Sequence, residues 1–237
     1  LPGLVNVYRR IQAYMMSFTV EGVTLGHKRM DQFEKIAKDY LHEVIKDPEL
    51  RETLTPNSRY GCKRGLVSDD FYPALLRDNV DLIAEGLKSV RPQGITTASG
   101  KDIDVDIIIY CTGYHILDYD RIHVSGLAGK SLAEEMAKSP TAYMGIAATD
   151  FPNYFFAAGP NGLAINASYF ANVERNVKTI VSLLIQKQQV GIQALVVKPD
   201  ICNAYNQNLA LQFSQFSWGA SNCNSYYRTA TGHAPFL

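Results

Sequence analysis

The chain has 237 residues, enough to bury a sizeable core as one large domain or as parts of two. Its 23 lysines and arginines balance 23 aspartates and glutamates, and no basic stripe or polybasic segment indicates binding to nucleic acid or to a membrane surface. No apolar run is long enough to span a bilayer and no secretory signal is present, so we expect a cytoplasmic protein. Because the chain begins with Leu1 rather than methionine, we expect a processed chain or an excerpt from a longer one.

The cysteines and histidines form no metal-binding pattern. The four cysteines (Cys62, Cys111, Cys202 and Cys223) lack the Cys-x-x-Cys spacing of zinc sites, and the five histidines form no spaced cluster. Two of the cysteines fall inside predicted helices or strands. We therefore expect reduced thiols, as in an intracellular protein, and no bound metal.

The first fifth of the chain is predicted to be helical. Residues 1–17 mix arginines with apolar side chains and favour a helix, whereas residues 20–25 are interrupted by glycine and favour a loop. Between residues 28 and 45 apolar side chains recur every three or four positions. This spacing predicts a helix with one apolar face, which ends at Asp47-Pro48.

A non-periodic loop at residues 54–64 is rich in turn-forming residues and ends in two adjacent cations, Lys63 and Arg64. Beyond it, the patterns predict a short capped helix, a strand and a hairpin, at residues 68–76, 79–83 and 94–105. The hairpin is expected to turn at Ser99-Gly100.

Four large apolar residues in a row, Ile107-Ile108-Ile109-Tyr110, mark the centre of the chain. Such a run predicts a strand buried on both faces, as in a parallel sheet. Because the following glycine lacks a Cβ, the turn at Thr112 and Gly113 can take a positive φ and let a flat ligand approach the backbone. Ligands of open α/β sheets lie beyond the carboxyl ends of such strands, so we predict cofactor binding there. An ordinary buried strand that ends in a glycine turn is the alternative.

The second half is predicted to alternate short strands, turns and helices. Strands are expected at residues 142–148 and 154–158, turns at 151–153 and 159–162, and helices at 131–138 and 168–186. The long helix carries a predicted apolar face, and Asn166 or Ser168 can cap it. The members of this face are Val173, Val177, Ile180, Val181 and Leu184. The tail from Asp200 is rich in Asn, Gln, Ser and Tyr, and its pattern predicts no particular element.

Several of these stretches, taken together, resemble one family. The amino-terminal set comprises Leu54-Thr55-Pro56, Gly61-Cys62-Lys63-Arg64, the run Ser68-Asp69-Asp70-Phe71-Tyr72-Pro73-Ala74-Leu75, and Arg77-Asp78-Asn79-Val80. The later set comprises residues 108–114 as a strand end, Phe151-Pro152-Asn153 and Gly159-Pro160-Asn161. In this order, over about residues 45–175, they resemble the class B flavin-dependent monooxygenases of the Baeyer–Villiger type.

The resemblance implies an α/β fold with two dinucleotide-binding domains, each a Rossmann-like three-layer arrangement of sheet and helices, for FAD and NADPH. Members carry two Gly-x-Gly-x-x-Gly loops, whereas this sequence has no Gly-x-Gly. We therefore expect a carboxyl-terminal portion that lacks the amino-terminal FAD loop. Residues 1–110 would be the later part of the NADPH domain and residues 111–237 the returning part of the FAD domain. Met136 replaces a tryptophan, which alters the packing expected beside the cofactor cleft, and Cys111 replaces an alanine.

In this family NADPH reduces FAD, and the reduced flavin traps dioxygen as a C4a-peroxide that attacks a carbonyl. The resemblance thus implies molecular oxygen and a small ketone or aldehyde as reactants, with nitrogen or sulfur oxygenation as an alternative. It assigns the stabilisation of the peroxide anion to Arg64, because a guanidinium stays charged and donates through a fork. It assigns the NADPH 2′-phosphate to Lys63. A solvated surface loop is the alternative for this pair of cations.

A second site is predicted at residues 159–169, where a Gly-Pro-Asn-Gly turn leads into a helix. Free backbone N–H groups at the helix start favour the negative charge of a reduced flavin. The resemblance implies that Gly159, Pro160, Asn166 and Tyr169 bind the cofactor, with residues 166–169 facing the flavin ring and the substrate. A plain strand–turn–helix connection is the alternative.

Two functional hypotheses follow. In one, the chain is part of an FAD- and NADPH-dependent monooxygenase whose activity belongs to the complete protein, so that the chain alone is inactive. In the other, it is a non-catalytic remnant that serves as a binding or scaffold module. A Gly-x-Gly-x-x-Gly motif upstream of Leu1 would favour the first.

Overall fold

The computed structural model describes residues 2–113, 118–162, 168–220 and 222–229. The helices are α1 (Pro2–Val23), α2 (Lys28–Val44), α3 (Pro48–Leu54), α4 (Phe71–Leu75), α5 (Leu132–Lys138), α6 (Tyr169–Val190) and α7 (Pro199–Phe213). The strands are β1 (Leu87–Arg91), β2 (Gly94–Thr97) and β3 (Asp102–Asp104), which form one antiparallel sheet in that order. Within the described ranges, no helix has the length and apolar content needed to cross a membrane.

Two compact units can be separated, and neither is continuous in sequence. The first comprises residues 1–34, 58–65 and 115–237, and the second residues 35–57 and 66–114. Helix α2 begins in the first unit and ends in the second. The predicted boundary at residue 110 concerns cofactor domains rather than these units, and it stays a prediction.

Helix α1 confirms the expected amino-terminal helix but continues to Val23, so the loop predicted at residues 20–25 is wrong. Gly22 lies against the ring of Phe33 in α2, and a Cβ at this glycine would overlap that ring. Val23 is buried in a cluster with Trp218. This packing offsets the low helix propensity of glycine, a contribution that local pattern does not contain.

Helix α2 is confirmed as predicted, but Asp47-Pro48 also starts a new helix, α3, that was not expected. The Asp47 carboxylate accepts from the Glu49 amide at 3.1 Å, and Pro48 occupies the first turn, where its missing N–H costs nothing. Arg51 then donates to the carbonyl of Ile45 at 2.8 Å, which ties the two helices together. Helix α3 has seven residues, which are too few to show a periodic apolar pattern, so the sequence indicated only the end of α2.

In the second unit, the predicted hairpin is confirmed. Strands β2 and β3 pair Ile95 with Ile103, and Gly100 takes a φ of +92° at the turn between them. Strand β1 completes the sheet by pairing Val90 with Ile95. Residues 79–83 form no strand, so that prediction is wrong; the pairing partner of β2 lies a few residues later.

The central apolar run does not form the predicted buried strand. Residues 106–113 follow β3 without forming a strand, and Ile107, Ile109 and Tyr110 are 78%, 81% and 66% exposed. A strand buried on both faces needs neighbouring strands on both sides and cover above and below. None of the described residues supplies them, so the expected parallel sheet is absent from the described part of the chain.

In the first unit, helix α5 is confirmed and Ser131 caps it by accepting from the Glu134 amide. The strands predicted at residues 142–148 and 154–158 are wrong. Met144 and Gly145, with φ of 51° and 71°, form a tight turn that returns the chain on itself. These segments instead pack as irregular backbone around one apolar cluster. Its members are Leu132, Met136, Ala142, Ala148, Phe151 and Phe156.

Helix α6 is confirmed but continues one turn beyond the predicted end, to Val190, and its buried side is not the predicted apolar face. Asn172 and Asn176 are buried, whereas Val177, Val181 and Leu184 are 41–47% exposed. Helix α7 occupies the tail that the pattern left unassigned, with a proline in its first turn. The polar composition of this tail concealed its helix.

A disulfide bond joins Cys62 to Cys223, with the Cα atoms 5.6 Å apart. The expectation of four reduced thiols is therefore wrong for this pair, while Cys111 and Cys202 are free. The bonded residues are 161 positions apart. Spacing in the sequence carries no information about such a pair, because only folding brings it within bonding distance.

Candidate functional site

A cavity of about 220 Å³ opens beside the Lys63-Arg64 pair in the first unit. Three segments enclose it, namely the end of α1, the loop at residues 59–65 and the tail at residues 216–227. Both cations line it, together with four aromatic side chains. These are Tyr60, Phe216, Trp218 and Tyr227.

The loop is held at its start by ion pairs to α2. Arg59 lies 2.7 Å from an Asp31 oxygen and 2.8 Å from a Glu34 oxygen. The same Glu34 oxygen accepts from the Tyr60 amide at 2.9 Å. The next residue, Gly61, has a φ of +84°, and a Cβ there would lie 2.6 Å from the buried Ser217 hydroxyl. A glycine is therefore required for the loop to approach so closely.

Arg64 contacts the tail through Tyr227. The guanidinium lies beside the Tyr227 hydroxyl in the same cavity, and this hydroxyl accepts from the Tyr226 hydroxyl at 3.2 Å. Burial of Tyr227 raises its pKa to about 12, and the neighbouring Tyr226 adds to this effect while Arg64 opposes it. Tyr227 is thus a neutral phenol at physiological pH. Lys63 and Arg64 are both exposed, so their charges face an approaching ligand.

Stacked and tilted ring pairs form the aromatic wall of the cavity. Phe216 and Trp218 stack with their ring centroids 4.8 Å apart and their planes within 2°. Tyr227 lies against Trp218 at 6.2 Å between centroids. Two cations beside such a wall suit a ligand with a phosphate or carboxylate and a planar ring, because the cations neutralise its charge and the rings stack.

The predicted second site, at residues 159–162, is a tight turn as expected. The Gly162 amide donates to the Gly159 carbonyl at 2.8 Å, and Gly159 and Pro160 are buried. The turn packs on Gly145, whose carbonyl accepts from the Gly159 amide at 2.9 Å. Asn161 Oδ1 is buried and has no donor among the described residues, so it offers an acceptor to a ligand N–H.

Helix α6 begins after this turn and is joined to it by Asn176, which donates to the carbonyls of Ala157 and Gly162 at 2.9 and 3.2 Å. Tyr169, the first helical residue, is 53% exposed and packs edge-on against Phe170. Asn166 lies outside the described residues, so its predicted role is not examined by the structure.

Thr112 and Gly113 belong to the second unit, whereas the residues described above belong to the first. Gly113 has the predicted positive φ, at +99°, but it follows an exposed segment rather than a buried strand. A Cβ at this glycine would meet nothing within 4 Å. The conformation that lets a ligand approach is therefore present, whereas the sheet edge expected to position it is absent from the described residues.

Sequence reasoning found the two cations but missed the aromatic residues around them. Trp218 is the single tryptophan of the chain, and it lies in a tyrosine-rich tail, which was the one available signal. The tail meets the loop only after more than 150 intervening residues. No local pattern predicts a contact over that separation.

Comparison with known proteins finds relatives that match most of this chain. A Baeyer–Villiger monooxygenase of Pseudomonas aeruginosa is 35% identical over 210 residues, which are 88% of this chain and 40% of that protein. One from Streptomyces coelicolor is 32% identical over 234 residues, 98% of this chain and 45% of that protein. The crystal structure of an OTEMO complex with FAD and NADP superposes with a TM-score of 0.77 at 24% identity, covering 88% of this chain and 40% of that one. No family model matches the sequence.

These relationships place the chain among the monooxygenases by sequence and by fold. More narrowly, it belongs to the Baeyer–Villiger monooxygenase family, which confirms the resemblance. The chain spans less than half the length of the relatives named here.

Proposed function

We propose that this chain is part of an FAD- and NADPH-dependent monooxygenase that inserts one atom of molecular oxygen into a small ketone or aldehyde. The observation that carries the proposal is the cavity at Lys63 and Arg64, where two exposed cations face an aromatic wall. The relatives named Baeyer–Villiger monooxygenases support the reaction class. The structure with FAD and NADP supports the choice of cofactors.

The residues present suit both cofactors. Lys63 provides a point charge for the 2′-phosphate of NADPH, and the half-buried ring of Phe216, stacked on the buried Trp218, borders the same cavity as an apolar surface for a planar group. For FAD, the turn at Gly159 and Pro160 and the buried Asn161 oxygen provide a close backbone approach and an unused acceptor. Thr112, Gly113, Asn166 and Tyr169 are the other proposed cofactor contacts.

Arg64 is the proposed catalytic residue. Reduced FAD, when bound, would supply the activation of dioxygen. The Arg64 guanidinium stays charged and donates through a fork, so it would stabilise negative charge on an oxygen held next to it. Tyr227 lies beside the Arg64 guanidinium in the same cavity and would help to orient it toward the reactants.

We further propose that residues 1–110 complete an NADPH domain and residues 111–237 an FAD domain of a longer protein. The exposed run at residues 107–110 supports this division, because its isoleucines lack the strand partners that such a run requires. The glycine-rich FAD loop would come from that remaining part. The chain alone would then be inactive.

Replacement of Arg64 in the complete enzyme tests the assignment. Arg64→Ala should lower the rate of oxygen transfer by about 10²–10³, the usual effect of losing one anion-stabilising donor. Lys63→Ala should instead raise the KM for NADPH while bound NADPH still supports turnover. The measurement is product formed per NADPH consumed under air, with hydrogen peroxide assayed in parallel.

Arg121→Ala is the matched control, because this side chain is 85% exposed and pairs only with its neighbour Asp118 among the described residues. It should leave the product yield unchanged. An Arg64→Ala enzyme with the yield of the control would contradict the proposal, since a group that stabilises the reacting oxygen cannot be dispensable to its transfer.

A further inference from the structure

A disulfide bond joins the loop that carries Arg64 to the tail that carries Tyr227. Cys62 directly precedes the two cations and is bonded to Cys223. Both cysteines are buried, with 1% and 5% of their surface exposed, beside the aromatic wall of the cavity. We propose that this bond is a redox-dependent cross-link that positions Arg64 against Tyr227. Its consequence for catalysis rests on the function proposed above, whereas its effect on the loop does not.

The loop has few other attachments beyond Cys62. Arg59 and the Tyr60 amide fix its start to α2. Between described residues, no backbone hydrogen bond involves Lys63 or Arg64, and both side chains are exposed. The disulfide bond, two residues before Arg64, is therefore the attachment that holds this end of the loop to the tail.

The tail at the other end of the bond is equally irregular. Residues 222–229 contain no helix or strand and are held by turns, in which the Cys223 amide donates to the Ala220 carbonyl at 3.0 Å. Tyr227 is four residues beyond Cys223. A bond between two irregular segments removes the conformations in which they separate. Without it, non-covalent contacts alone would keep the two segments together, and with them Arg64 beside Tyr227.

Formation and cleavage of the bond are two-electron reactions. In formation, each thiol gives up one proton and one electron as the S–S bond forms. Hydrogen peroxide accepts both protons and both electrons, its O–O bond breaks and two water molecules leave. In cleavage, one thiolate of a small dithiol attacks a protein sulfur, and its second thiol then displaces that sulfur. The protein regains two thiols and the reagent becomes a cyclic disulfide. Because both sulfurs are buried, each direction requires a local opening, so the oxidation state should change slowly and persist.

Limited digestion with trypsin tests the effect on the loop, because Lys63 and Arg64 are themselves cleavage sites. The 237-residue chain is treated with hydrogen peroxide or with dithiothreitol, and alkylation under denaturing conditions followed by mass measurement counts its free thiols. We expect two free thiols after peroxide and four after dithiothreitol. Cleavage after Arg64 should be at least about tenfold faster in the reduced chain, since proteolysis follows the population of open loop. Cleavage after Arg121, on a surface turn, is the internal reference and should not change.

Cysteine variants separate the cross-link from a general effect of the reductant. Cys62→Ala and Cys223→Ala should each resemble the reduced chain and show no further response to dithiothreitol. Cys202→Ala is the matched control, because Cys202 is also buried but its thiol is free, and it should keep the full response. Far-UV circular dichroism identifies any variant that fails to fold, and the wild-type comparison needs no variant. Four free thiols after peroxide treatment, or an unchanged Arg64 cleavage rate after proven reduction, would overturn the proposal.

The complete enzyme then tests the positioning role. Reduction should lower the product formed per NADPH in the wild-type enzyme but should have no further effect in the Arg64→Ala enzyme, because both changes act through the same guanidinium. Equal losses in both backgrounds would overturn positioning of Arg64. The two proposals can fail separately. If reduction does not change the digestion rate, the proposed cross-link is wrong and the proposed function is unaffected. If Arg64→Ala leaves the product yield unchanged, the proposed function is wrong and the proposed cross-link is unaffected.

Discussion

Gly145 combines a backbone conformation and a close contact that side chains do not accept. Its φ is +71°, and a Cβ would overlap the Cα of Gly162 in the turn proposed to bind the cofactor. Gly129 has nearly the same φ, +74°, but nothing lies within 4 Å of its Cβ position. Substitution of Gly129 therefore tests the backbone strain alone, whereas substitution of Gly145 tests the strain together with the steric overlap.

We expect Gly129→Ala to lower the free energy of unfolding by about 1–2 kcal/mol, the cost of a left-handed backbone with a Cβ. Gly145→Ala should lower it by about 2–5 kcal/mol, since overpacking adds to the same strain. Urea unfolding of both variants measures the difference. Equal losses would show that the contact with Gly162 does not constrain the turn.

Titration of Tyr227 makes the stability of the chain depend on pH. Its pKa is raised from 10.0 to about 12, chiefly by burial, so the folded chain holds this proton more tightly than the unfolded chain. The resulting contribution to the free energy of unfolding is fully present below about pH 10 and is lost as the pH rises to about 12. Its full value is about 2–3 kcal/mol. The free energy of unfolding should therefore fall more steeply between pH 9 and 11.5 (both values approximate) in the wild-type chain than in Tyr227→Phe. Parallel curves would contradict the shift.

At the level of elements, helix α6 shows that its buried side was not its most apolar side. Asn176 donates to two carbonyls of the turn region, whereas the adjacent Val177 is 41% exposed. We expect Asn176→Ala to cost about 1–3 kcal/mol, because it removes a buried amide that donates two part-buried hydrogen bonds. Val177→Ala should cost less than about 1 kcal/mol. Thermal or urea unfolding measures both losses of stability. A larger loss in Val177→Ala than in Asn176→Ala would show that the predicted apolar face is the side of α6 that packs against the unit.

The whole chain leaves apolar surface uncovered at residues 107–110 and on α1, which suits a portion of a larger protein. We expect the chain alone to bind FAD only weakly, since it has no Gly-x-Gly loop to hold the pyrophosphate. Addition of the chain should quench flavin fluorescence only slightly. The complete enzyme is the control and should retain FAD through gel filtration. A stoichiometrically yellow chain after gel filtration would contradict the prediction.

Local signals predicted those parts of the fold that local forces determine. The extents of α2, α5 and α6 and the β2–β3 hairpin follow from periodicity, caps and turn residues acting over a few positions. The strands predicted at residues 107–110, 142–148 and 154–158 did not form, because a strand depends on partners that its own sequence does not specify. The resemblance assigned Lys63 and Arg64 from the same local motif, and their catalytic roles stay predictions.

The sequence by itself determined the family, the positions of the longer helices and the pair of cations in a turn-rich loop, since each is encoded in contiguous residues. Only the tertiary structure decided that Cys62 bonds to Cys223, that Tyr227 lines the same cavity as Arg64 and that α6 buries asparagines. Each of these depends on groups between 14 and 163 positions apart along the chain. Their meeting is fixed by the packing of the whole unit and not by any pattern short enough to be recognised in one stretch of sequence.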